Sequence, residues 1–258
     1  MLLIEGLIGA GKTELAKRIA QHIPMTKIYF EPVDLDYLSA FYGAVERFYE
    51  EKEKNGVAEP PAIALELQFN LMAKRFEMHL VGWREECTKR INTVFDRSIW
   101  FDKCFASMLH SEGLISDSGM RTYLLHRRNM ESLLHVPSLI IMLEVDPVIC
   151  LKRIKERDRE GAQESKVTYE YLVRLRREHD SVLEQMRCLG SDVIHIDWNE
   201  FGTIESVMNR IMETGRHHFF GVDWVEDFIN IERKRAYGKA CFDINMMRKC
   251  NFLSEDKI

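Results

Sequence analysis

Met1-Leu2-Leu3-Ile4-Glu5-Gly6-Leu7-Ile8-Gly9-Ala10-Gly11-Lys12-Thr13 opens the chain, a short apolar run feeding a complete G-x-x-x-x-G-K-T loop. In such a loop Gly6, Gly9, Ala10 and Gly11 present backbone N–H groups to anionic oxygens. Lys12 reaches the β- and γ-phosphates, and the Thr13 hydroxyl is placed to ligate Mg²⁺. A helical pattern follows at once, with Leu15, Ile19, Ala20 and Ile23 on one face, so the positive end of its dipole faces the same anion. Strand, loop and helix stand in the order a phosphate cradle requires. They imply a bound nucleoside triphosphate and leave the acceptor open.

The chain has 258 residues, of which 46% are hydrophobic. That is enough for one large α/β domain with a substantial core. No apolar stretch approaches the roughly 20 residues of a membrane span, and the position of the loop leaves no room for a cleavable leader, so a soluble protein is expected. Six cysteines, Cys87, Cys104, Cys150, Cys188, Cys241 and Cys250, occur without a C-x-x-C pair. This spacing fits free thiols in a reducing, cytoplasmic setting better than disulfides or a zinc site. Adjacent His217 and His218 lack partner ligands. A net charge of −5 supplies no positive field for a nucleic-acid polymer and suits a small anionic ligand with Mg²⁺.

Short β-branched runs at 2–5, 27–31, 93–96, 139–145 and 193–197 alternate with helical patterns near 12–23, 35–50, 61–90, 101–111, 119–135, 147–157, 168–188 and 203–216. The alternation predicts an α/β fold, a five-stranded parallel sheet with helices on both faces. Residues 50–61, EEKEKNGVAEPP, and 157–166, RDREGAQESK, read as exposed loops. The domain is expected to span 1–216. The aromatic- and Met-rich segment 217–258 is expected to be a helical extension packed on the core or on a partner. Its Arg233-Lys234-Arg235 cluster reads as a solvated helix face.

In an open parallel sheet, ligands sit beyond the carboxyl ends of the strands. Three places there carry candidate chemistry. Glu31, in Glu31-Pro32-Val33, is either a general base for an attacking hydroxyl or a solvated strand-end carboxylate. Asp96-Arg97-Ser98 offers a carboxylate for Mg²⁺ and an arginine for the transferred group, or an ordinary ion pair. Arg153, Arg157 and Arg159 end a helix as a charged run. Arginines on a lid can be worth on the order of 10³–10⁵ in rate, and they can equally be solvated.

Taken together, the residue 6–13 loop, Glu31-Pro32-Val33, Asp96-Arg97-Ser98, Cys150-Leu151-Lys152-Arg153-Ile154 with Arg157 and Arg159, and Ile196-Asp197-Trp198-Asn199 resemble the deoxynucleoside kinase family across roughly residues 1–215. Many members carry Glu where Asp96 stands. The resemblance implies transfer of the γ-phosphate of ATP to the 5′-hydroxyl of a deoxynucleoside. Glu31 would be the base, Arg97 would sit beside the 5′-oxygen, Lys12 would hold phosphates, and Thr13 and Asp96 would hold Mg²⁺.

The same resemblance puts Arg157 and Arg159 on the lid and Arg153, Glu200 and Phe201 around the ATP adenine. Gln68 would meet the base edge, with Arg75 paired to Asp102, a pattern favouring purine or cytosine over thymine. For the sugar 3′-hydroxyl it implies Tyr42, or Tyr49 second, with Glu160 or Glu164. A homodimer through the helices near 61–90 and 119–135 is a family-level expectation. The rival readings are a nucleoside monophosphate kinase and a non-catalytic subunit of the same fold.

Overall fold

The computed structural model describes residues 1–32, 34–157 and 167–214. Those residues form five strands and eight helices. In chain order these are β1 (Leu2–Gly6), α1 (Lys12–His22), β2 (Thr26–Tyr29), α2 (Leu35–Asn55), α3 (Ala62–Lys89), β3 (Asn92–Asp96), α4 (Ile99–Ser111), α5 (Asp117–Glu131), β4 (Leu139–Glu144), α6 (Pro147–Arg157), α7 (Tyr169–Cys188), β5 (Asp192–Asp197) and α8 (Ile204–Glu213). The predicted extension 217–258 lies outside the described residues, as do Arg159, Glu160, Glu164 and the cysteines Cys241 and Cys250. Cys87, Cys104, Cys150 and Cys188 are free thiols.

All five strands pair in parallel in the order β2-β3-β1-β4-β5. Parallel pairing demands a crossover after each strand, and the helical stretches supply them. Every residue of β1 is buried, as expected for a central strand covered on both faces. Helix α1 packs against β1, β2, β3 and α8, while α3, α4 and α7 form a second group with α2 and α5 outside it. The chain leaves β1 toward β2 and leaves β3 toward β4. Crossovers in opposite directions open a crevice at the carboxyl ends of adjacent β1 and β3, the edge that carries residues 6–13 and Asp96-Arg97.

Several boundaries differ from the sequence reading, among them α4, which starts at Ile99, and α5, which ends at Glu131; two of the differences have a clear physical reason. Strand β2 ends at Tyr29, so Glu31 stands on the connection beyond the strand. Residues 50–55, read as loop, continue α2 to a left-handed cap at Gly56, φ 76°. This last stretch is solvated on all sides. With no apolar face to bury, it carries no periodic signal.

Candidate active site

The phosphate loop is shaped by two glycine positions. Gly11 caps α1 in the left-handed region, φ 96°, with no side chain capping the first turn. The N-terminal N–H groups of α1 are therefore left for a ligand. Gly9 has φ 79°, and a Cβ there would stand 2.6 Å from the Cys150 carbonyl oxygen. Lys12 folds back over the loop, donating to the carbonyls of Gly6 (3.2 Å) and Leu7 (2.9 Å). Burial, with Arg97 nearby, lowers its ammonium to about 8.

One cavity of about 590 Å³ opens beside this loop, lined by Gly9, Gly11, Lys12, Thr13, Glu31, Tyr42, Gln68, Arg75, Asp96, Arg97, Arg153, Arg157 and Phe201 among others. Segments distant in sequence thus converge on a space of the size small-molecule sites occupy. Gly6 and Ala10 belong to the loop without lining the cavity. The Ala10 carbonyl accepts from Arg153 Nη1 at 3.1 Å.

Glu31 is the centre of the charged wall. Its Oε1 lies 2.6 Å from Arg75 Nη2 and 3.1 Å from Arg97 Nε, and its side chain keeps 29% exposure toward the cavity. Burial works to raise its pKa, but Arg97, Arg75 and Lys12 together outweigh that effect and hold the carboxyl at about 2. Arg97 has φ 71°, an uncommon conformation for a residue with a Cβ. Its guanidinium lies 5.0 Å from the Phe105 ring centroid. Thr13 Oγ1 donates to Asp96 Oδ2, and Asp96 Oδ1 is buried with no hydrogen-bond partner among the described residues.

At the other end of the cavity, Gln68 and Arg75 project from one face of α3, two turns apart. Arg75 is 2% exposed and ion-pairs through Nη1 with Asp102 of α4, itself 1% exposed. Asp102 therefore stands behind Arg75 and does not line the cavity. Tyr42 lines it, whereas Tyr49 points away and donates to Glu112 Oε2 at 3.3 Å. Beyond β5, Arg153 donates to the carbonyls of Trp198 (3.0 Å) and Asn199 (2.7 Å), and its guanidinium stacks 4.2 Å from the Phe201 ring centroid. Glu200 in the same loop is exposed and outside the cavity lining.

The sequence reading omitted Leu71, Phe105, Tyr171 and Glu5. The first three line the cavity. Leu71 lies one turn beyond Gln68 on the same face of α3, a spacing that could have found it. Tyr171 follows the Thr168 cap of α7, and no motif marks it. Glu5, wholly buried, sits directly behind Arg97, and its signal was a charge inside an otherwise apolar strand.

A phosphate loop on the central strand of this sheet, with a carboxylate across the cavity, defines a P-loop kinase. The family model for deoxynucleoside kinases matches residues 2–219, and the chain belongs to that family. It is an ATP-dependent phosphotransferase acting on deoxynucleosides. Among its relatives, a deoxyguanosine kinase of Dictyostelium discoideum is 33% identical over 212 residues, covering 82% of this chain and 68% of the relative. A deoxyadenosine kinase of the same organism is 32% identical over 211 residues, covering 81% and 77%. The fold matches a deoxyadenosine kinase from M. mycoides solved with the products dCMP and dCDP, at TM-score 0.62 and 20% identity, covering 83% of this chain and 98% of that one. Among the described residues no helix is long and apolar enough to cross a membrane.

Proposed function

We propose that the cavity transfers the γ-phosphate of ATP to the 5′-hydroxyl of a deoxynucleoside, with purine deoxynucleosides as the preferred acceptors. One observation carries this reading: Glu31 and the glycine-bent loop line a single cavity of about 590 Å³. The loop N–H groups and Lys12 hold the triphosphate. The ionised Glu31 carboxylate accepts the hydroxyl proton as the oxygen attacks the γ-phosphorus. Arg97 offsets the charge that develops on the transferred group, joined by Arg157 and by Arg159 from the lid. With so low a pKa, Glu31 acts more by aligning the hydroxyl than by pulling its proton early, which suits a loose phosphoryl transition state.

Arg153 and Phe201 form a stacked edge suited to the ATP adenine, and the exposed Glu200 flanks it. Gln68 meets the nucleobase edge beside the Arg75–Asp102 pair. Two of the relatives are named for purine deoxynucleosides, which supports the base preference. Tyr42 meets the sugar 3′-hydroxyl, together with Glu160 or Glu164.

Thr13 and Asp96 supply a hydroxyl and an unpartnered carboxylate oxygen at the cavity wall, a hard-oxygen set that fits Mg²⁺. Among the described residues no cluster of three His, Cys, Asp or Glu side chains could hold a metal by itself. When bound, Mg²⁺ would neutralise charge on the β- and γ-phosphates.

The kinase unit spans 1–216 with 217–258 as an extension. Exposed Leu124, Leu125 and Leu133 on and after α5 support a homodimer through α3 and α5, which light scattering would test. The function is tested by a panel of the four deoxynucleosides and their monophosphates with ATP and Mg²⁺. Turnover with deoxynucleosides, highest for purines, is expected. Turnover confined to monophosphates would overturn the reading.

A further inference from the structure

The Glu5 carboxylate is the least expected charge in the molecule. It closes the apolar run of β1, is 0% exposed, and lies behind the phosphate loop at the β1–β3 crevice. Its Oε1 accepts from Ser98 Oγ at 3.0 Å. Its Oε2 has no hydrogen-bond partner among the described residues and stands 3.9 Å from Arg97 Nη1. Arg97 Nη1 is itself buried without a hydrogen bond. An isolated carboxylate in such a place costs several kcal/mol unless cations oppose it; Arg97 is the nearest, Lys12 and Arg75 act on it as well, and burial still raises the Glu5 pKa to about 7. The opposite side of the same guanidinium faces Glu31 through Nε at 3.1 Å, and the Arg97 backbone is pinned by its own N–H donating to Ile4 O at 3.2 Å.

Arg97 is therefore suspended between two carboxylates, one on the cavity wall and one behind it. We propose that Glu5 is a positioning residue for phosphoryl transfer: it opposes the pull of Glu31 on Arg97 from behind, limiting the guanidinium to its single Nε contact with Glu31 so that the rest of that carboxylate can receive the acceptor hydroxyl while Arg97 stays at the transferred group. This rests on the assignment of Glu31 and Arg97 to the reaction. Without Glu5, the nearest remaining anion for Arg97 is Glu31, already bound by Arg75 at 2.6 Å. A carboxylate drawn more tightly onto both arginines is a poorer acceptor for a hydroxyl. Glu5 touches neither nucleotide nor acceptor, since it does not line the cavity.

The test is a double-mutant cycle on the full chain with Glu5→Gln, Arg97→Lys and the pair, read as kcat and as KM for ATP and for the acceptor, alongside crystal structures of the parent and of Glu5→Gln. The kinetics are read at pH 8, above the raised Glu5 pKa of about 7, where the amide keeps the shape and the Ser98 contact while removing the charge. Expected are a roughly tenfold loss in kcat with KM for ATP within about twofold, and a much smaller additional loss from Glu5→Gln once Arg97 is Lys. In the crystal the Arg97–Glu31 separation should shorten from 3.1 Å.

Unchanged kcat, or a loss that multiplies independently of Arg97, would overturn the positioning role. So would a Glu5→Gln structure with Arg97 unmoved, a readout that holds even if the parent phosphorylates some other acceptor. Should Glu5→Gln fail to fold, Ser98→Ala unties the same carboxylate, and it should alter kcat and the Arg97 position together. No change in either would sink the proposal equally.

Discussion

Arg75 Nη2 donates to Glu31 Oε1 at 2.6 Å, joining the Gln68 side of the cavity to the Arg97 side through one guanidinium. The same arginine holds Asp102 with Nη1, so a single planar fork spans both carboxylates. On the proposed assignment, base recognition and turnover are expected to be inseparable at this position. Arg75→Lys keeps the charge but cannot bridge both carboxylates. It should reduce kcat for every deoxynucleoside by about tenfold or more as well as changing the purine-to-pyrimidine ratio of kcat/KM. Steady-state kinetics with all four acceptors decides the matter. A changed ratio with undiminished kcat would show that Arg75 reads the base alone.

Under the proposed mechanism, Glu31→Gln removes the acceptor of the hydroxyl proton and leaves the phosphate loop intact. Turnover should fall by about 10² or more with KM for ATP nearly unchanged, because the lost help is confined to the transition state. The arginines hold the Glu31 pKa at about 2, so the free enzyme has this carboxylate ionised throughout pH 5–9. Any acid limb in kcat/KM over that range must come from another group, and its midpoint should be the same in parent and variant. A limb that disappears in Glu31→Gln would assign the titration to Glu31 and refute the low value.

Much of this arrangement was legible in the sequence because each strand is a short apolar run bounded by turn residues, and the motif residues follow those runs directly. Lys12, Thr13, Asp96 and Arg97 sit where a parallel sheet exposes its carboxyl edge. Contacts between distant segments were not legible. Glu31 and Arg75 are 44 residues apart, and nothing in either segment announces the other. Glu5 read as the last residue of a strand, since its significance depends on β1 pairing with β3 in the register Ile4↔Asp96. Tyr171 reaches the cavity only through the packing of α7 on α4, a tertiary fact without a local pattern.

His79 on α3 bears on acid stability. It is 1% exposed, stacks 4.2 Å from the Phe95 ring centroid, and neither ring nitrogen has a hydrogen-bond partner among the described residues. Burial, with Arg75 one turn away, lowers its pKa to about 3 from the ordinary 6.5. Below pH 6.5 the unfolded chain takes up a proton that the folded chain refuses, so stability is lost as pH falls from about 6.5 toward 3. At pH 5.5 the loss from this one residue is on the order of 1 kcal/mol. His79→Phe preserves the stack and does not titrate. Its Tm should therefore fall less between pH 7.5 and 5.5 than that of the parent. Equal Tm drops measured by differential scanning calorimetry would show that His79 is not the group responsible.

The Thr13 hydroxyl donates to Asp96, so each occupies a lone pair or proton of the other beside an oxygen, Asp96 Oδ1, that is buried and unpartnered. That oxygen gives Asp96 the capacity to orient a hydrated Mg²⁺ or to ligate it. Asp96→Asn retains the size and can still meet Thr13, but replaces the negative charge with a dipole. The Mg²⁺ concentration needed for half-maximal activity should rise about 10–100-fold, the range found when a residue supporting a metal site is lost, and excess Mg²⁺ should restore part of the rate. Removing the ion with EDTA should abolish turnover in both proteins. Titration of activity against Mg²⁺ at saturating ATP reads the effect directly. Identical half-maximal concentrations in the two proteins would take Asp96 out of the metal site and leave it as the partner of Thr13 alone.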